Sequence, residues 1–112
     1  MTRDALKPAD FHILLALTGG PLHGYGLVQR MEKESEGRVR LLPGNLYAML
    51  RRLEEGELVA ESEAPDDATD RRRRYYRLTE AGREALSAET GRLERLLGTI
   101  READWARGGR QR

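Results

Sequence analysis

The chain has 112 residues, enough for one domain with a thin core that an oligomer interface would help to stabilise. Its 20 Lys and Arg against 19 Asp and Glu leave a net charge of +1, so bulk charge does not point to nucleic acid and its distribution must decide. There is no cysteine, which excludes disulfides, thiolate nucleophiles and cysteine metal sites; no apolar run approaches the ~18–20 residues of a membrane span, and the first ten residues hold no apolar signal core, so the reading is a soluble, intracellular (cytoplasmic) protein.

Pro8 can open a first helix, since its missing N–H would have no intrahelical partner there. Phe11, Ile13, Leu14, Leu15, Ala16 and Leu17 then place apolar groups nearly all round it, as in a buried helix, until Gly19-Gly20-Pro21 breaks it. A second helix is expected from about His23 to Glu36, with Tyr25, Leu27, Val28 and Met31 at helical spacing and Gly37 as its stop. His23 is placed to cap or pack at its start. A third helix runs from about Pro43-Gly44 to Gly56. Leu46, Leu50 and Leu53 form its apolar face, and Tyr47, Ala48, Arg51 and Arg52 form the opposite one.

Residues 58–64 read as a strand, 65–70 as a turn-rich loop and 71–78 as a returning strand, giving a β-hairpin with a long loop. Within the second strand alternation puts Tyr76 with Leu78 in the core and leaves Tyr75 to face outward. Thr79 is a good N-cap for a last long helix, with Glu80 in its first turn. On that helix Leu86, Leu93 and Ile100 recur every seven residues, with Leu97 between them, which suits a seam against a second copy. Three helices, a hairpin and a long helix make a mainly α protein, a winged helix-turn-helix over 1–78 followed by a dimerisation helix over 79–107 and a flexible tail over 108–112.

The charges are segregated. Residues 37–53 hold four arginines and no acid, residues 71–77 hold five arginines and no acid, and residues 54–70 hold eight acids and no base. The two basic blocks fall on the third helix with its lead-in and on the hairpin, the elements of a winged helix that meet DNA. Gly44 and Asn45 lie at a helix N-terminus, which suits a phosphate. Arg51 and Arg52 are candidate DNA contacts, one or the other placed for a base edge, and Arg71, Arg72, Arg73 and Arg74 are placed for the backbone or a minor groove. Tyr47 is either a DNA contact or a half-buried aromatic against the wing.

His23-Gly-Tyr25, Pro43-Gly-Asn-Leu-Tyr47, Leu50-Arg-Arg-Leu-Glu-Glu55 and Arg71-Arg-Arg-Arg-Tyr-Tyr-Arg-Leu-Thr-Glu-Ala-Gly82 follow one another in this order. With them the chain resembles the PadR-type transcriptional regulators over about residues 10–100, in a short subgroup with a single C-terminal helix. Three positions depart from the family pattern: Asn45 stands where Thr or Ser is usual, Asp70 where Gly precedes the wing arginines, and Gly56 comes one residue early, leaving Glu57 at the usual glycine. The resemblance implies a homodimer held by the last helix, repression at an operator, DNA contacts that take in His23 and Tyr25, and release by a small aromatic compound.

Trp105, the single tryptophan, is either an interface residue or a stacking surface for such an effector. No cofactor is expected, and His12 and His23 lack the companions a metal site needs. A winged helix used only to bind proteins would not require a basic helix and a basic wing. A hydrolase is disfavoured because three serines and two histidines form no nucleophile–base motif.

Overall fold

The computed structural model describes residues 6–103 and Trp105. The elements in chain order are α1 (Pro8–Ala16), a 3₁₀ turn (Leu17–Gly19), β1 (Leu22–His23), α2 (Gly24–Glu34), α3 (Pro43–Glu55), β2 (Val59–Ser62), β3 (Tyr75–Leu78) and α4 (Glu80–Glu102). This is the expected mainly α winged helix with one strand added; the helix starts move little, while the returning strand begins four residues later than expected and the last helix ends at Glu102 rather than 107.

The added strand is β1. It pairs antiparallel with β3, Leu22 opposite Tyr76 and His23 opposite Tyr75, so β3 is the middle of a three-stranded sheet ordered β1-β3-β2. On its other side Val59 faces Leu78 and Ser62 faces Tyr75. Two residues are too few for any period, which is why the sequence does not announce β1. Its consequence is direct: the root of the wing is hydrogen-bonded to the segment that leads into α2. The basic run Arg71–Arg74 lies before β3 and belongs to the wing loop, not to the strand expected over 71–78.

Ile13, Leu14, Leu27, Met31, Leu46, Leu50 and Val59 are fully buried at the centre of the core, and Tyr76, Leu78 and Ala85 complete it. Asp10 is buried on α1 and accepts a 2.6 Å charged hydrogen bond from Arg52 of α3. Leu86, expected on the dimer seam, is half-buried and packs against this core. It stands close enough to the start of α4 to be covered by the domain itself.

Local chemistry accounts for the junctions. The Thr79 hydroxyl accepts from the Gly82 N–H at 2.9 Å and donates to the Glu57 carbonyl at 2.6 Å, so one side chain starts α4 and ties it to the end of α3. Gly82 sits against the Leu58 carbonyl so closely that a Cβ there would lie 2.1 Å from the oxygen. The Leu-Thr-Glu-Ala-Gly run therefore reads as a cap followed by a forced close approach. Along α4, Glu89 is buried and paired with Arg92. Beyond it Leu93, Leu96, Leu97 and Ile100 are 40–48% exposed, large apolar side chains facing solvent. Leu96 belongs to this stripe although the heptad spacing alone does not select it.

α4 ends at Glu102, and Trp105, expected on the dimerisation helix, lies beyond its C-cap and is exposed. The expected tail over 108–112 lies outside the described residues. Among the described residues no helix is long and apolar enough to cross a membrane, and no three potential metal ligands come together.

Candidate nucleic-acid interface

α3 begins at Pro43, with Leu42 as N-cap and no side chain closing its first turn. The N–H groups of Gly44 and Asn45 therefore face solvent without a cap, and both residues are exposed. Asn45 is inside the first turn and does not cap it. Tyr47, Ala48 and Arg51 continue the exposed face. Arg52, expected with Arg51 as a base reader, is directed to Asp10 and holds α3 against α1. Arg51 is left as the arginine of α3 with an open outward position.

The start of α2 is built differently. His23 is its N-cap, and the ring Nδ1 accepts from the Gly26 N–H at 3.1 Å. The same nitrogen lies 3.3 Å from Nη1 of Arg73. A nitrogen that accepts must be unprotonated. Burial first and then the charge of Arg73 hold the His23 pKa below its ordinary value, against a smaller upward pull from Asp70. The His23 ring stacks on Tyr25 with centroids 6.4 Å apart and meets Tyr75 edge-on at 5.3 Å.

Tyr75, expected to face outward, is buried. The reason is β1: His23 is its cross-strand neighbour, and the Tyr75 hydroxyl donates to the Asp70 carbonyl at 3.2 Å. Tyr76 is in the core as expected, where burial raises its pKa.

Arg73 completes the bridge from wing to helix, its guanidinium 5.9 Å from the Tyr25 ring centre. Tyr47 reaches the same place from α3. Its ring lies over Gly24, where a Cβ would meet the Tyr47 hydroxyl at 2.5 Å, so a side chain there would force the Tyr47 ring to shift. The three separated motifs, His-Gly-Tyr, Pro-Gly-Asn-Leu-Tyr and the arginine run, thus converge on one surface. His23, Gly24, Tyr25, Tyr47, Arg73 and Arg74 line an open cleft of about 260 Å³ there.

Asp70 organises the wing arginines. Its Oδ1 accepts from the Arg72 backbone N–H at 3.0 Å and lies 3.5 Å from Arg72 Nε, while Oδ2 is 3.6 Å from Arg73 Nε. Arg74 is 3.5 Å from Glu61, and Arg71 donates to the Pro65 carbonyl at 2.8 Å. All four arginines are exposed. Ion pairs this exposed contribute little to stability and can be exchanged for phosphate. In the lead-in to α3, Arg40 is 2.9 Å from Glu32. The acid-free blocks of the sequence are therefore met in space by acids from outside them, which segregation along the chain cannot reveal.

Among known families, the model of the "Transcriptional regulator PadR-like family" matches residues 13–88. The chain is 41% identical over 95 residues to an uncharacterised 37.1 kDa protein in transposon TN4556 of Streptomyces fradiae, covering 85% of this chain but only 26% of that protein. It is 41% identical over 86 residues to the transcriptional regulator Rv3488 of Mycobacterium tuberculosis, covering 76% of this chain and 75% of that one.

Among solved structures, a PadR family transcription regulator from Clostridium difficile R20291 superimposes with a TM-score of 0.69 at 22% identity, over 83% of this chain and 94% of that one. Bacillus subtilis PadR in complex with operator DNA does so with a TM-score of 0.60 at 20% identity, over 73% of this chain and 46% of that one. At these identities the structural likeness is one of fold, the winged helix. The family match, which takes in α2, α3, the wing and the start of α4, and the Mycobacterium relative carry the further conclusion that the chain belongs to the PadR-like family of transcriptional regulators.

Proposed function

We propose that this chain binds double-stranded DNA as a homodimeric repressor on an inverted-repeat operator. The observation that carries the reading is the convergence of the uncapped start of α3, the exposed Tyr47 and Arg51, and the arginine wing on a single face. In this reading α3 enters a major groove. Gly44 and Asn45 meet a phosphate, Tyr47 and Arg51 face base edges, and Arg71 to Arg74 follow the adjoining backbone. His23 and Tyr25 hold the wing arginines in place beside α2, and Arg52 contributes through its ion pair with Asp10. The Bacillus subtilis PadR structure, in complex with operator DNA, supports DNA as the partner of this fold.

The exposed stripe of α4 supports a dimer, with two recognition helices about 34–36 Å apart, one helical turn. The switch is proposed to be a small aromatic compound acting on that dimer, with Trp105 as its candidate contact. Tryptophan fluorescence reports on it directly, since there is one tryptophan in the chain.

The test is selection of bound sequences from a random duplex library, followed by affinity measurement across a range of salt. The expected result is an inverted repeat whose affinity falls steeply with salt. Alanine at Arg71 and Arg74 is expected to weaken binding to every sequence and to flatten the slope by roughly 0.9 for each phosphate left unneutralised. Arg51→Ala is expected to relax preference at one base pair, at a cost of about 1–3 kcal/mol. Failure to enrich any sequence, or identical salt slopes in wild type and wing variants, would contradict the reading.

A further inference from the structure

Behind the basic cleft lies a second cavity of different chemistry. A slot of about 220 Å³ opens between the first turns of α2 and α3, lined by Gly24, Tyr25, Val28, Pro43, Leu46 and Tyr47. Its wall is almost wholly carbon. It shares Gly24, Tyr25 and Tyr47 with the cleft that reaches Arg73 and Arg74, so an apolar recess and a pair of guanidinium groups form one continuous surface. Tyr25 is 61% exposed and Tyr47 47%, large apolar surfaces to leave facing water at the starts of α2 and α3.

We infer that this slot is a specificity subsite for the C5-methyl edge of a thymine. The inference rests on the DNA-binding reading above. A duplex presents phosphate in a regular ribbon, and beside it, at the major-groove edge, its one apolar group is the thymine methyl. The arginines of the cleft match the ribbon, and the apolar wall of the slot, roomier than a methyl group, suits the methyl in its chemistry. The amino group of cytosine or adenine, or the O6 and N7 of guanine, would face a mostly carbon wall there and exchange water for fewer hydrogen bonds. The slot therefore selects by rejecting polar edges as well as by accepting the methyl. One close approach keeps it open: Gly24 lets the Tyr47 ring lie across the start of α2, and any side chain at that position would push the ring out.

Uracil in place of thymine removes the methyl and nothing else. The experiment takes a duplex selected by the wild-type protein and replaces each thymine in turn with deoxyuridine. One thymine in each half-site is expected to be sensitive, its replacement weakening binding about fourfold, the effect of one buried methyl-sized group. Two variants locate the contact. Tyr25→Ala removes an exposed wall of the slot, and with it the ratio of thymine to uracil affinity is expected to fall to about one. Ser87→Ala changes an exposed position of α4 outside the proposed DNA face and is expected to leave the ratio unchanged.

A wild-type protein that binds its selected duplex yet ignores every uracil substitution would overturn the subsite while leaving the DNA-binding reading intact. A thymine-to-uracil ratio kept by Tyr25→Ala would place the methyl contact outside the slot and overturn it equally. Absence of any selected duplex would defeat the underlying reading itself.

Discussion

Two side chains set the junction between wing and helix, and each makes a separate prediction. His23 Nδ1 accepts from the Gly26 N–H and faces Arg73, so protonation would remove the α2 cap and set a cation beside a guanidinium. Its folded pKa lies below the ordinary value of 6.5, first through burial and then through Arg73. A depressed pKa means that the contribution is fully present above the unfolded value and is lost as pH falls through the folded one. The melting temperature is therefore expected to drop as pH is lowered from about 7 to about 5.5. His23→Asn, which offers a non-titrating oxygen to the same N–H, is expected to show a smaller drop; parallel pH profiles would remove His23 as its source. Asp70 acts in the opposite sense. Its carboxylate stands beside Arg72 and Arg73 and, in the proposed DNA complex, would compete with phosphate for them. Asp70→Asn keeps an acceptor for the Arg72 N–H but frees two guanidinium groups of their counter-anion. Tighter DNA binding with a steeper salt dependence is expected, and weaker binding at every salt concentration would instead make Asp70 a positioning residue alone.

At the scale of elements, the ends of α2 and α3 show how far local rules reach. α3 closes with the Leu58 N–H on the Leu53 carbonyl and the Glu57 N–H on that of Glu54, a Schellman motif. Its left-handed residue is Glu57, at φ 64°, while Gly56 just before it has an ordinary φ of −83°. The departure of the glycine by one place is thus real in space: the backbone keeps the turn and a glutamate occupies the strained position. Glu57→Gly is expected to stabilise the fold by about 1 kcal/mol, read as a raised urea midpoint with unchanged slope. α2 ends in the same way with Glu36 at φ 56°. The helices, their caps at His23 and Thr79 and the core role of Tyr76 were all legible in the sequence, because each depends on neighbours within a few residues. β1, the burial of Tyr75 and the capture of Arg52 by Asp10 were not, because their partners lie far along the chain: His23 and Tyr75, Asp10 and Arg52. For the same reason charge segregation located the basic face but not the acids, Asp70 and Glu61, that share it in space.

The whole molecule measures 58 × 34 × 26 Å, an elongated shape for a chain of this length. The first turns of α4 are fixed to the core through Gly82, Ala85 and Leu86, while its second half presents Leu93, Leu96, Leu97 and Ile100 to solvent. Burying a leucine contributes about 2 kcal/mol, so four such side chains on each of two copies offer enough apolar surface to hold a dimer. Gly91 and Gly98 weaken the isolated helix by about 1 kcal/mol each, and contact with a second copy would offset that cost. Burying a carboxylate in such a seam costs several kcal/mol. Leu93→Glu combined with Leu97→Glu is therefore expected to give a folded monomer, since both positions lie outside the domain core. Sedimentation is expected to show half the wild-type mass, and circular dichroism to retain the helical signal of the winged domain. Because the two recognition helices would no longer be joined, binding to an inverted repeat is expected to fall to the weak level of a single half-site. An unchanged dimer in sedimentation would place the interface elsewhere. A monomer that still bound the full repeat with wild-type affinity would separate dimerisation from recognition.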